Sequence, residues 1–539
     1  MPGRGSLLHH VRNAIFRAPR FNLPGPPGRE RAGSRSASDP HAWTGEWLRA
    51  SRIVRSPKRV IVDRLRSWGS YLLEPVDGAS TAVFRIVLGT VLAWDAARYI
   101  AYGWIDEYYI LPKVHFTYLY FDFVKPWPGQ WMYTHFWFLG LVAVLFAVGL
   151  FYRIAAPLLF LAYTYVFLLE ESVYMNHYYL ICLLLFLFIF APADRAYALD
   201  RLRAPRGPAV VPRWTVAILR FQLVVVYAYG AIAKLNPDWL AGEPMYSELV
   251  RGGPDVPAIA AHLPPAVLAY GIAYGGILID AVVPILLCLR RTRIIGFAVA
   301  SVFHVLNEIF LNIGLFSYLM FGALTIFFDP DWPRRLARRL GLGGRASPAG
   351  ATPPRQRARS GEIALLAGLH LYALVQLLFP LRHWLYPGPV SWTEEGHRFA
   401  WQMKLRKKDS VMMFHVKDPA TGREWTIDPA VELRPRQMKK LHTFPDMVLQ
   451  YAHHVRDELR TQGVDDPVIT VDWMCSLNGA PHRRLVDPSA DLAREERSWR
   501  PAPWVFRDPG EAEQAGASDS GAQSTGLLSS GTSLSTSKP

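Results

Sequence analysis

Lys234 is the residue of this chain whose type and position offer the clearest chemistry. Apolar residues run almost unbroken from Trp214 to Ala233, so Lys234 arrives where a membrane helix would reach the interface. A lysine in an apolar setting loses the hydration of its charged form and can then serve as a base. The simpler interpretation is a lysine at a helix end that extends its ammonium group towards water.

The residues after Lys234 indicate that the helix ends there. Asn236, Pro237 and Asp238 follow almost at once, and proline cannot continue the helical hydrogen-bond ladder. Trp239 comes next, at the depth where an amphipathic ring prefers to lie. Lys234 and Trp239 are therefore predicted to share one interface of the membrane.

Two further groups of polar residues lie in or beside apolar runs. Asn176 and His177 follow Tyr174, and such a histidine could hydrogen-bond a quinone or phenol oxygen. A histidine that is simply hydrogen-bonded at the interface is the alternative. His304 and Asn307 are three residues apart, which places them on one face of a helix.

Metal binding and disulfide bonds are not expected. Glu308 lies four residues after His304, but no HExxH pattern or His/Cys cluster accompanies the pair. Three cysteines lack paired spacing: Cys182, Cys288 and Cys475. Glu170 and Glu171, at the predicted outer end of an apolar run, are equally consistent with a functional acid pair and with a solvated helix end.

The composition is that of an integral membrane protein. Of the 539 residues, 51% are apolar and 13% aromatic, and the apolar runs alternate with very basic connectors. The net charge of +15 does not indicate nucleic-acid binding, because the arginines lie in connectors, where the positive-inside rule explains them. The predicted fold is mainly α-helical and polytopic, with the lipid bilayer as its partner and no nucleic acid.

About nine transmembrane helices are predicted, near residues 79–100, 133–150, 153–170, 176–193, 214–234, 266–289, 294–311, 313–328 and 362–380. Arg-rich and Arg-poor connectors alternate along this path, which places the N-terminus in the cytoplasm. The chain after residue 381 is then outside, in the periplasm or lumen. The same path brings Asn176, Lys234 and His304 to one depth on the outer side.

Four regions are predicted. Residues 1–70 form a disordered basic tail, 71–385 the membrane domain, 386–509 a small extracytoplasmic β-rich or α+β domain, and 510–539 a disordered Gly/Ser/Thr-rich tail. In the third region, alternating segments predict strands at 397–405, 410–416, 424–427 and 468–476, with one amphipathic helix over about 435–462.

Several long motifs resemble the vitamin K-dependent gamma-glutamyl carboxylase family and its bacterial relatives, the HTTM-domain membrane proteins. The resemblance runs from about Asp77 to Trp504. Its motifs are AVFRIVLG (82–89), GLFYRIA (149–155), TYVFLLEESVYMNHYYL (164–180), LRFQLVVVYAYGAIAKLNPDWL (219–240), FHVLNEIFLNIGLFSYLM (303–320), DPDWPRRL (329–336), WTEEGHRFAWQM (392–403) and TGREWTIDP (421–429).

The resemblance implies a role for most of the polar residues above. Lys234 corresponds to the family's active-site base, and Asn176 with His177 to its catalytic Asn-His pair. The residues assigned to quinone binding are His304, Asn307, Tyr174 and Trp239. The residues assigned to the glutamate-substrate region are Trp392, His397, Arg398 and Trp401.

The implied reaction couples two half-reactions and requires no metal. The lysine deprotonates vitamin K hydroquinone, dioxygen adds, and the resulting strong base removes a proton from the gamma carbon of a peptidyl glutamate. The carbanion captures CO2, and vitamin K leaves as its epoxide. A lipid quinone would enter from the bilayer and a glutamate-containing peptide or protein from the outer side, and the base must be shielded from water.

The chain departs from the animal enzymes in the segment linked to glutamate binding. Their Gly-Leu-Tyr-Gly run is replaced by Glu395, Gly396, His397 and Arg398. Quinone chemistry is therefore better supported than peptide carboxylation. Two alternatives remain, a quinol epoxidase without protein carboxylation and a non-enzymatic transporter or lipid-binding protein. No internal repeat of the transporter kind is present. High Arg, Ala and Pro usage favours a bacterial inner-membrane protein.

Overall fold

The computed structural model describes residues 57–204, 207–250, 262–311, 314–342 and 360–511. The predicted disordered tails, 1–70 and 510–539, therefore lie mostly outside the described residues. The described part of the first one is not disordered, because helix α1 (Pro57–Leu73) begins there.

A helix occupies the position of every predicted span. These helices are α2 (Ala79–Ala101), α3 (Gln130–Val148), α4 (Tyr152–Leu169), α5 (Asn176–Phe190), α6 (Arg213–Ala233), α7 (Pro265–Cys288), α8 (Arg293–Leu311), α9 (Leu315–Ala323) and α10 (Ser360–Leu378). A 3₁₀ turn extends α9 through Leu324–Phe327 and another extends α10 through Phe379–Leu385.

In the part of the chain that the structure describes, six helices are long and apolar enough to cross a membrane. They are α2, α3, α4, α6, α7 and α10 with its 3₁₀ extension. Helix α5 has 15 residues and spans about 22 Å at 1.5 Å per residue, short of a hydrocarbon core of roughly 30 Å. The apolar segment Leu315–Phe327 is also short. The chain is a membrane protein, but the predicted count of nine full spans is not established.

Helix α6 is central to the part of the fold that carries the predicted site. It packs against α5, α7 and α10. On its α10 side, the Tyr372 hydroxyl donates to Oε1 of the fully buried Gln222 at 2.6 Å. On its α8 side, Tyr227 contacts His304. Proline at 237 and the Asn236 side chain, which accepts from the Trp239 backbone N–H, start a short helix directly beyond its C-terminus.

Short elements connect these helices. The two-stranded antiparallel sheet of β1 (Pro75–Asp77) and β2 (Val210–Pro212) lies beside the start of α2. The remaining short helices are Leu199–Arg203, Pro237–Leu240, Met245–Val250, Trp332–Arg339 and Val390–Thr393, with 3₁₀ turns at Glu171–Val173, Ala193–Arg195 and Pro429–Val431 and a π-helical turn at Asp106–Ile110.

The C-terminal region is an α+β domain, as predicted. Its sheet contains β3 (Lys408–Lys417), β4 (Glu424–Ile427), β5 (Val468–Leu477) and β6 (Arg483–Arg484) in the order β4-β3-β5-β6, all antiparallel. Alternate residues of β3 are buried, as expected of a sheet with one covered face. That face shares its core with α11 (Pro435–Leu441) and α12 (Pro445–Thr461).

Two predictions for this domain are wrong in detail. The single helix over 435–462 is two helices, because Pro445 begins α12 and the chain turns at residues 442–444. The strand predicted over 397–405 does not form. Phe399 and Trp401 both have left-handed backbone angles, with φ of 62° and 58°, and these are incompatible with an extended strand.

The connector between α2 and α3 contributes to the hydrophobic core of the C-terminal domain. Val114 and Phe116, from the long connector between α2 and α3, are buried in the core of the C-terminal domain. The adjacent Thr117 backbone N–H donates to Oε1 of Gln450 on α12 at 2.8 Å. The C-terminal domain is therefore held directly against the end of the bundle at which Asn176 lies.

Candidate functional site

Lys234 is buried in a salt bridge and does not extend to water. Its Nζ lies 2.6 Å from Oδ2 of Asp280 on α7, and it donates a second hydrogen bond, of 3.2 Å, to the Gly230 carbonyl. The side chains of Lys234 and Asp280 are 9% and 6% exposed. The interpretation of Lys234 as a lysine that reaches towards water is therefore wrong.

The walls around this pair are tightly packed. The Trp239 ring lies 5.5 Å from Lys234 Nζ, and its indole N–H donates to the Ala273 carbonyl at 2.8 Å. A Cβ at Gly230 would come within 2.9 Å of Asp280 Oδ2 and 3.2 Å of Met403 Cε. A glycine is thus needed where the carboxylate and the Met403 side chain approach the α6 backbone.

Asn176 is held by a short hydrogen-bond chain at the start of α5. Its side-chain oxygen accepts from the Tyr174 hydroxyl at 2.9 Å, and its Nδ2 donates to the Gln402 carbonyl at 2.9 Å. The Tyr174 hydroxyl in turn accepts from the Phe399 backbone N–H at 2.8 Å. This chain joins the helix start to the loop that precedes β3.

His177 and His304 both contact the same phenyl ring. The Phe316 ring of α9 stacks on His177 with centroids 5.9 Å apart and meets His304 edge-on at 5.4 Å. His304 Nε2 is 2.8 Å from the Tyr227 hydroxyl. Among the described residues, the fully buried His304 has no hydrogen-bond partner at Nδ1. That atom is available to a ligand.

The loop over residues 394–404 has an unusual backbone. Its residues with positive φ are Glu394, Gly396, Phe399, Trp401 and Lys404. Non-glycine residues in this conformation are strained and persist only where their surroundings hold them. A Cβ at Gly396, where φ is 71°, would lie 2.7 Å from the His383 Cα. The strained loop presents Gln402 to Asn176 and Met403 to Gly230.

The same loop begins a cluster of basic groups, which we call the Phe444 cluster: His397, Arg398, Arg406 and Lys440. Their rings or charges lie 4.3 to 5.7 Å from the Phe444 ring centroid. Two buried nitrogens of Arg398, Nε and Nη2, and the Nδ1 of His397 have no partner among the described residues. The cluster is suited to a carboxylate, which accepts several charge-assisted hydrogen bonds.

Burial and neighbouring charge perturb the ionisable groups of the Phe444 cluster. Burial, with Arg436, Arg398 and Arg406 close by, lowers the pKa of Lys440 to about 7. Burial also lowers the pKa of His397 well below its usual value, and the cations Arg406 and Arg398 lower it further. An anion bound here would therefore change the protonation of Lys440.

Glu170 and Glu171 are buried, not solvated at a helix end. Glu171 forms a salt bridge of 2.6 Å with Nη1 of Arg398. Glu170 accepts from the Gln437 side-chain amide at 3.2 Å. Both carboxylates thereby connect the end of α4 to the C-terminal domain.

A narrow cavity lies beside the start of α5. Aromatic rings form most of its wall, including Tyr174 and Tyr178, which flank Asn176 and His177 in the chain. Asp95 contributes a buried carboxylate, 3.5 Å from Nη1 of Arg98. An apolar wall with a few polar groups is typical of small-molecule sites.

Some predicted site residues lie outside this arrangement. The Trp392 indole donates to the Phe506 carbonyl at 3.0 Å and belongs to the core of the C-terminal domain. Asn307 is half-buried on α8, one turn after His304. Trp401 is fully buried, with its ring 5.1 Å from that of Tyr179. Thus Trp401 packs close to the start of α5, whereas Trp392 has a structural position.

Glu308, which the sequence placed beside His304 as a possible metal ligand, has a backbone partner instead. Glu308 accepts from the Gly314 backbone N–H at 2.7 Å, at the start of α9. Among the described residues, a possible metal-ligand group is formed by Glu432, His454 and Glu458 on the C-terminal domain. That group includes none of the predicted site residues.

Three functional candidates were not predicted from the sequence: Asp280, Tyr227 and Lys440. Asp280 had a usable signal, because a carboxylate within the apolar run 266–289 needs a partner inside the membrane. Tyr227 and Lys440 had none, since a tyrosine in an apolar helix and a lysine in an amphipathic one are common. Only the tertiary contacts distinguish them.

Comparison with known families agrees with this architecture. The HTTM domain family matches residues 73–332. The vitamin K-dependent gamma-carboxylase lumenal domain matches residues 362–511. The chain belongs to the vitamin K-dependent gamma-carboxylase family. In this carboxylase-family protein the first match contains Lys234, Asp280, Asn176 and the two histidines, and the second contains the 394–404 loop and the Phe444 cluster. No solved structure matches the chain.

Proposed function

We propose that this chain converts reduced vitamin K to its epoxide with dioxygen and couples that reaction to carboxylation of a glutamate side chain by CO2. The observation that carries the proposal is the path of residues 397–403. Over these seven residues the loop begins in the Phe444 cluster, contacts Asn176 through Gln402 and reaches Gly230 beside Lys234 with Met403. A carboxylate site, the Asn-His pair and the lysine are thereby connected.

The residues around Phe316 fit a hydroquinone. They offer flat apolar surfaces together with buried nitrogen atoms, of which His304 Nδ1 is unpartnered among the described residues. His177 and His304 would hold and orient the ring oxygens, and Tyr174 keeps Asn176 in place. Lys234 would accept the hydroxyl proton. When bound, the hydroquinone supplies, with dioxygen, a base strong enough to deprotonate a glutamate at its gamma carbon.

The Phe444 cluster would bind the glutamate. Glu395, Gly396, His397 and Arg398 stand where the animal enzymes have Gly-Leu-Tyr-Gly. Of these, His397 and Arg398 bring an imidazole and a guanidinium group that the animal sequence lacks. The buried nitrogens of Arg398 without a partner among the described residues suit a carboxylate oxygen. Arg398 is oriented by Glu171, so its guanidinium is held before substrate arrives. We infer that the substrate is an acidic peptide.

The proposed location is a bacterial inner membrane, with the N-terminus cytoplasmic and the C-terminal domain extracytoplasmic. The Arg-rich connectors and the match to a lumenal domain support this orientation. Single cysteines at the exposed positions Thr421 and Arg339, with the native cysteines replaced, test it. An impermeant thiol reagent should label Thr421→Cys on intact spheroplasts and Arg339→Cys only after lysis, and the reverse pattern would invert the topology.

The test of function measures two products from one purified protein. Vitamin K hydroquinone and oxygen should yield epoxide, and Lys234→Ala should lower the rate by at least about 10²-fold, the usual contribution of a general base. Lys417→Ala, which removes an exposed lysine paired with Glu424, is the matched control and should retain the rate. No epoxide from folded wild-type protein would contradict the proposal.

Labelled CO2 then separates carboxylation from epoxidation alone. Incorporation into a glutamyl peptide, lost in Arg398→Ala while epoxide still forms without peptide, would support the glutamate site. If epoxide forms but no acidic peptide becomes labelled, the protein is a quinol epoxidase without protein carboxylation. Binding of quinone without any turnover would favour the transporter or lipid-binding alternative.

A further inference from the structure

The Lys234–Asp280 salt bridge creates a difficulty for a lysine acting alone as base. A lysine can accept a proton only as the neutral amine, and a carboxylate 2.6 Å away favours the ammonium form. An unpaired charge inside a membrane is costly. Lys234 and Asp280 therefore form one neutral pair that shares a single mobile proton. Its capacity to accept a proton is a property of both residues together.

The surroundings leave few other groups to take up a proton. Within the described part of the chain, the hydrogen bonds of Lys234 go to Asp280 Oδ2 and the Gly230 carbonyl. The Trp239 ring and Met403 are not titratable. Tyr227, two turns earlier on α6, also interacts electrostatically with Asp280, and its hydroxyl is paired with His304.

We propose that Asp280 is the positioning residue that stores the proton displaced from Lys234, so that the base is the pair. The inference rests on the proposed function for the identity of the proton donor. Lys234 Nζ accepts the proton of the quinol hydroxyl, and one proton passes from Nζ to Oδ2 of Asp280. The balance is one O–H bond broken and one O–H bond formed, with nothing oxidised or reduced.

This arrangement keeps the site electrically neutral. Before transfer, the ammonium of Lys234 balances the carboxylate of Asp280; afterwards it balances the deprotonated hydroxyl while Asp280 is a neutral acid. No net charge enters the low-dielectric interior at any stage. The close approach at Gly230 holds the carboxylate at the distance that a direct transfer needs.

The two hypotheses predict opposite effects of Asp280→Asn. If Lys234 acts alone, loss of its counterion favours the neutral amine, and the epoxidation rate should persist or rise. If the pair is the base, kcat should fall by about 10²-fold or more with quinol affinity nearly unchanged, and the acidic limb of the pH profile should move. Asp280→Glu should restore part of kcat. Asp329→Asn, which removes a carboxylate paired with arginines, is the control and should leave kcat unchanged.

A second readout does not depend on turnover. Infrared difference spectra of the protein with [4-¹³C]aspartate, recorded without oxygen as hydroquinone is added, should show the carbonyl band of a newly protonated carboxylic acid that shifts with the isotope. The band should be absent from Lys234→Ala and from Asp280→Asn. Because the wild type is measured directly, failure of Asp280→Asn to fold would not prevent a decision.

The outcomes separate this proposal from the proposed function. The aspartate band in a wild type that makes no epoxide would support the proton store and contradict the epoxidase. Epoxide formation with no band, together with an Asp280→Asn variant of wild-type rate and pH profile, would overturn the proton store and leave the epoxidase standing.

Discussion

At the scale of single residues, the site depends on how closely α6 and α7 approach. Gly230 permits the Asp280 carboxylate to reach Lys234, and a Cβ added at Gly276 of α7 would lie 3.5 Å from the Lys234 Cε, an ordinary contact. The pair is therefore positioned by backbone packing as well as by its own charges. A change of one methyl group at Gly230 should act on chemistry more than on folding.

Gly230→Ala tests this dependence. The added Cβ would lie 2.9 Å from Asp280 Oδ2, so the carboxylate must shift away from Lys234. We expect the epoxidation rate to fall on the order of 10²-fold, as for other displacements of about 1 Å in an active site. Gly271→Ala on α7 is the control, since its Cβ would meet nothing within 4 Å. Equal rates for both variants and the wild type would mean that the approach at Gly230 has no catalytic role.

At the scale of elements, the 394–404 loop is the part that links the two domains chemically. Its left-handed residues are strained, and the hydrogen bond from the Phe399 N–H to the Tyr174 hydroxyl is one of the contacts that hold it. Aromatic contacts with Tyr179 add to the restraint on Phe399 and Trp401. The loop should loosen when such a contact is removed.

Tyr174→Phe removes one hydroxyl that serves both the loop and Asn176. The Phe399 N–H loses its partner, which should lower the free energy of unfolding by about 1–3 kcal/mol. Hydrogen exchange should accelerate over residues 397–403, and the peptide carboxylation rate should fall. Tyr165→Phe, whose exposed hydroxyl donates to the Lys125 carbonyl, is the matched control. Unchanged exchange in the loop of Tyr174→Phe would contradict the role assigned to this hydroxyl.

The Phe444 cluster should make binding of an acidic peptide depend on pH near neutrality. Because the pKa of Lys440 is lowered to about 7, its side chain is an ammonium below that pH and an amine above it. The KM of an acidic peptide should therefore rise roughly tenfold between pH 6 and pH 8, the loss of one charge-assisted hydrogen bond. Lys440→Gln should give the high KM at both values, whereas Lys439→Gln at the neighbouring exposed position should behave as wild type.

At the scale of the whole molecule, the two family domains are not independent modules. The connector between α2 and α3 places Val114 and Phe116 in the core of the C-terminal domain. Arg497 of that domain donates to the Thr117 carbonyl at 2.9 Å and forms a salt bridge with Asp446. Since the C-terminal domain also supplies the 394–404 loop, its docking should determine both stability and activity.

Phe116→Ala should show this coupling. Phe116 is fully buried, and its truncation should cost about 3–5 kcal/mol of stability. Epoxidation should decline in parallel, because a loosened C-terminal domain releases the loop that reaches Asn176 and Gly230. Phe123→Ala, in the same connector but 76% exposed, is the control for thermal unfolding and activity. A destabilised Phe116→Ala protein with a full rate at low temperature would show that docking and chemistry are separable.

The sequence by itself determined the local elements and the residue types of the site. Apolar runs located the helices α2 to α10, and alternation located β3, β4 and β5, because these patterns depend on neighbours close in sequence. The helix α1 and the short connecting helices were not predicted. Alternation failed at 397–405, where an alternating pattern lies on a loop with left-handed residues. The number of full membrane spans could not be predicted from the sequence either, since a run such as Asn176–Phe190 is apolar but short.

Only the tertiary structure decided what each polar residue contacts. Lys234 could be identified as a candidate base from its position, but its pairing with Asp280 joins residues 46 positions apart and depends on the packing of α6 against α7. Likewise, the sequence left open whether Glu171 is solvated, and its salt bridge with Arg398, far along the chain, shows that it is buried. Burial and charge pairing are set by contacts distant in sequence, and these decide whether a lysine or glutamate faces water, a partner or a substrate.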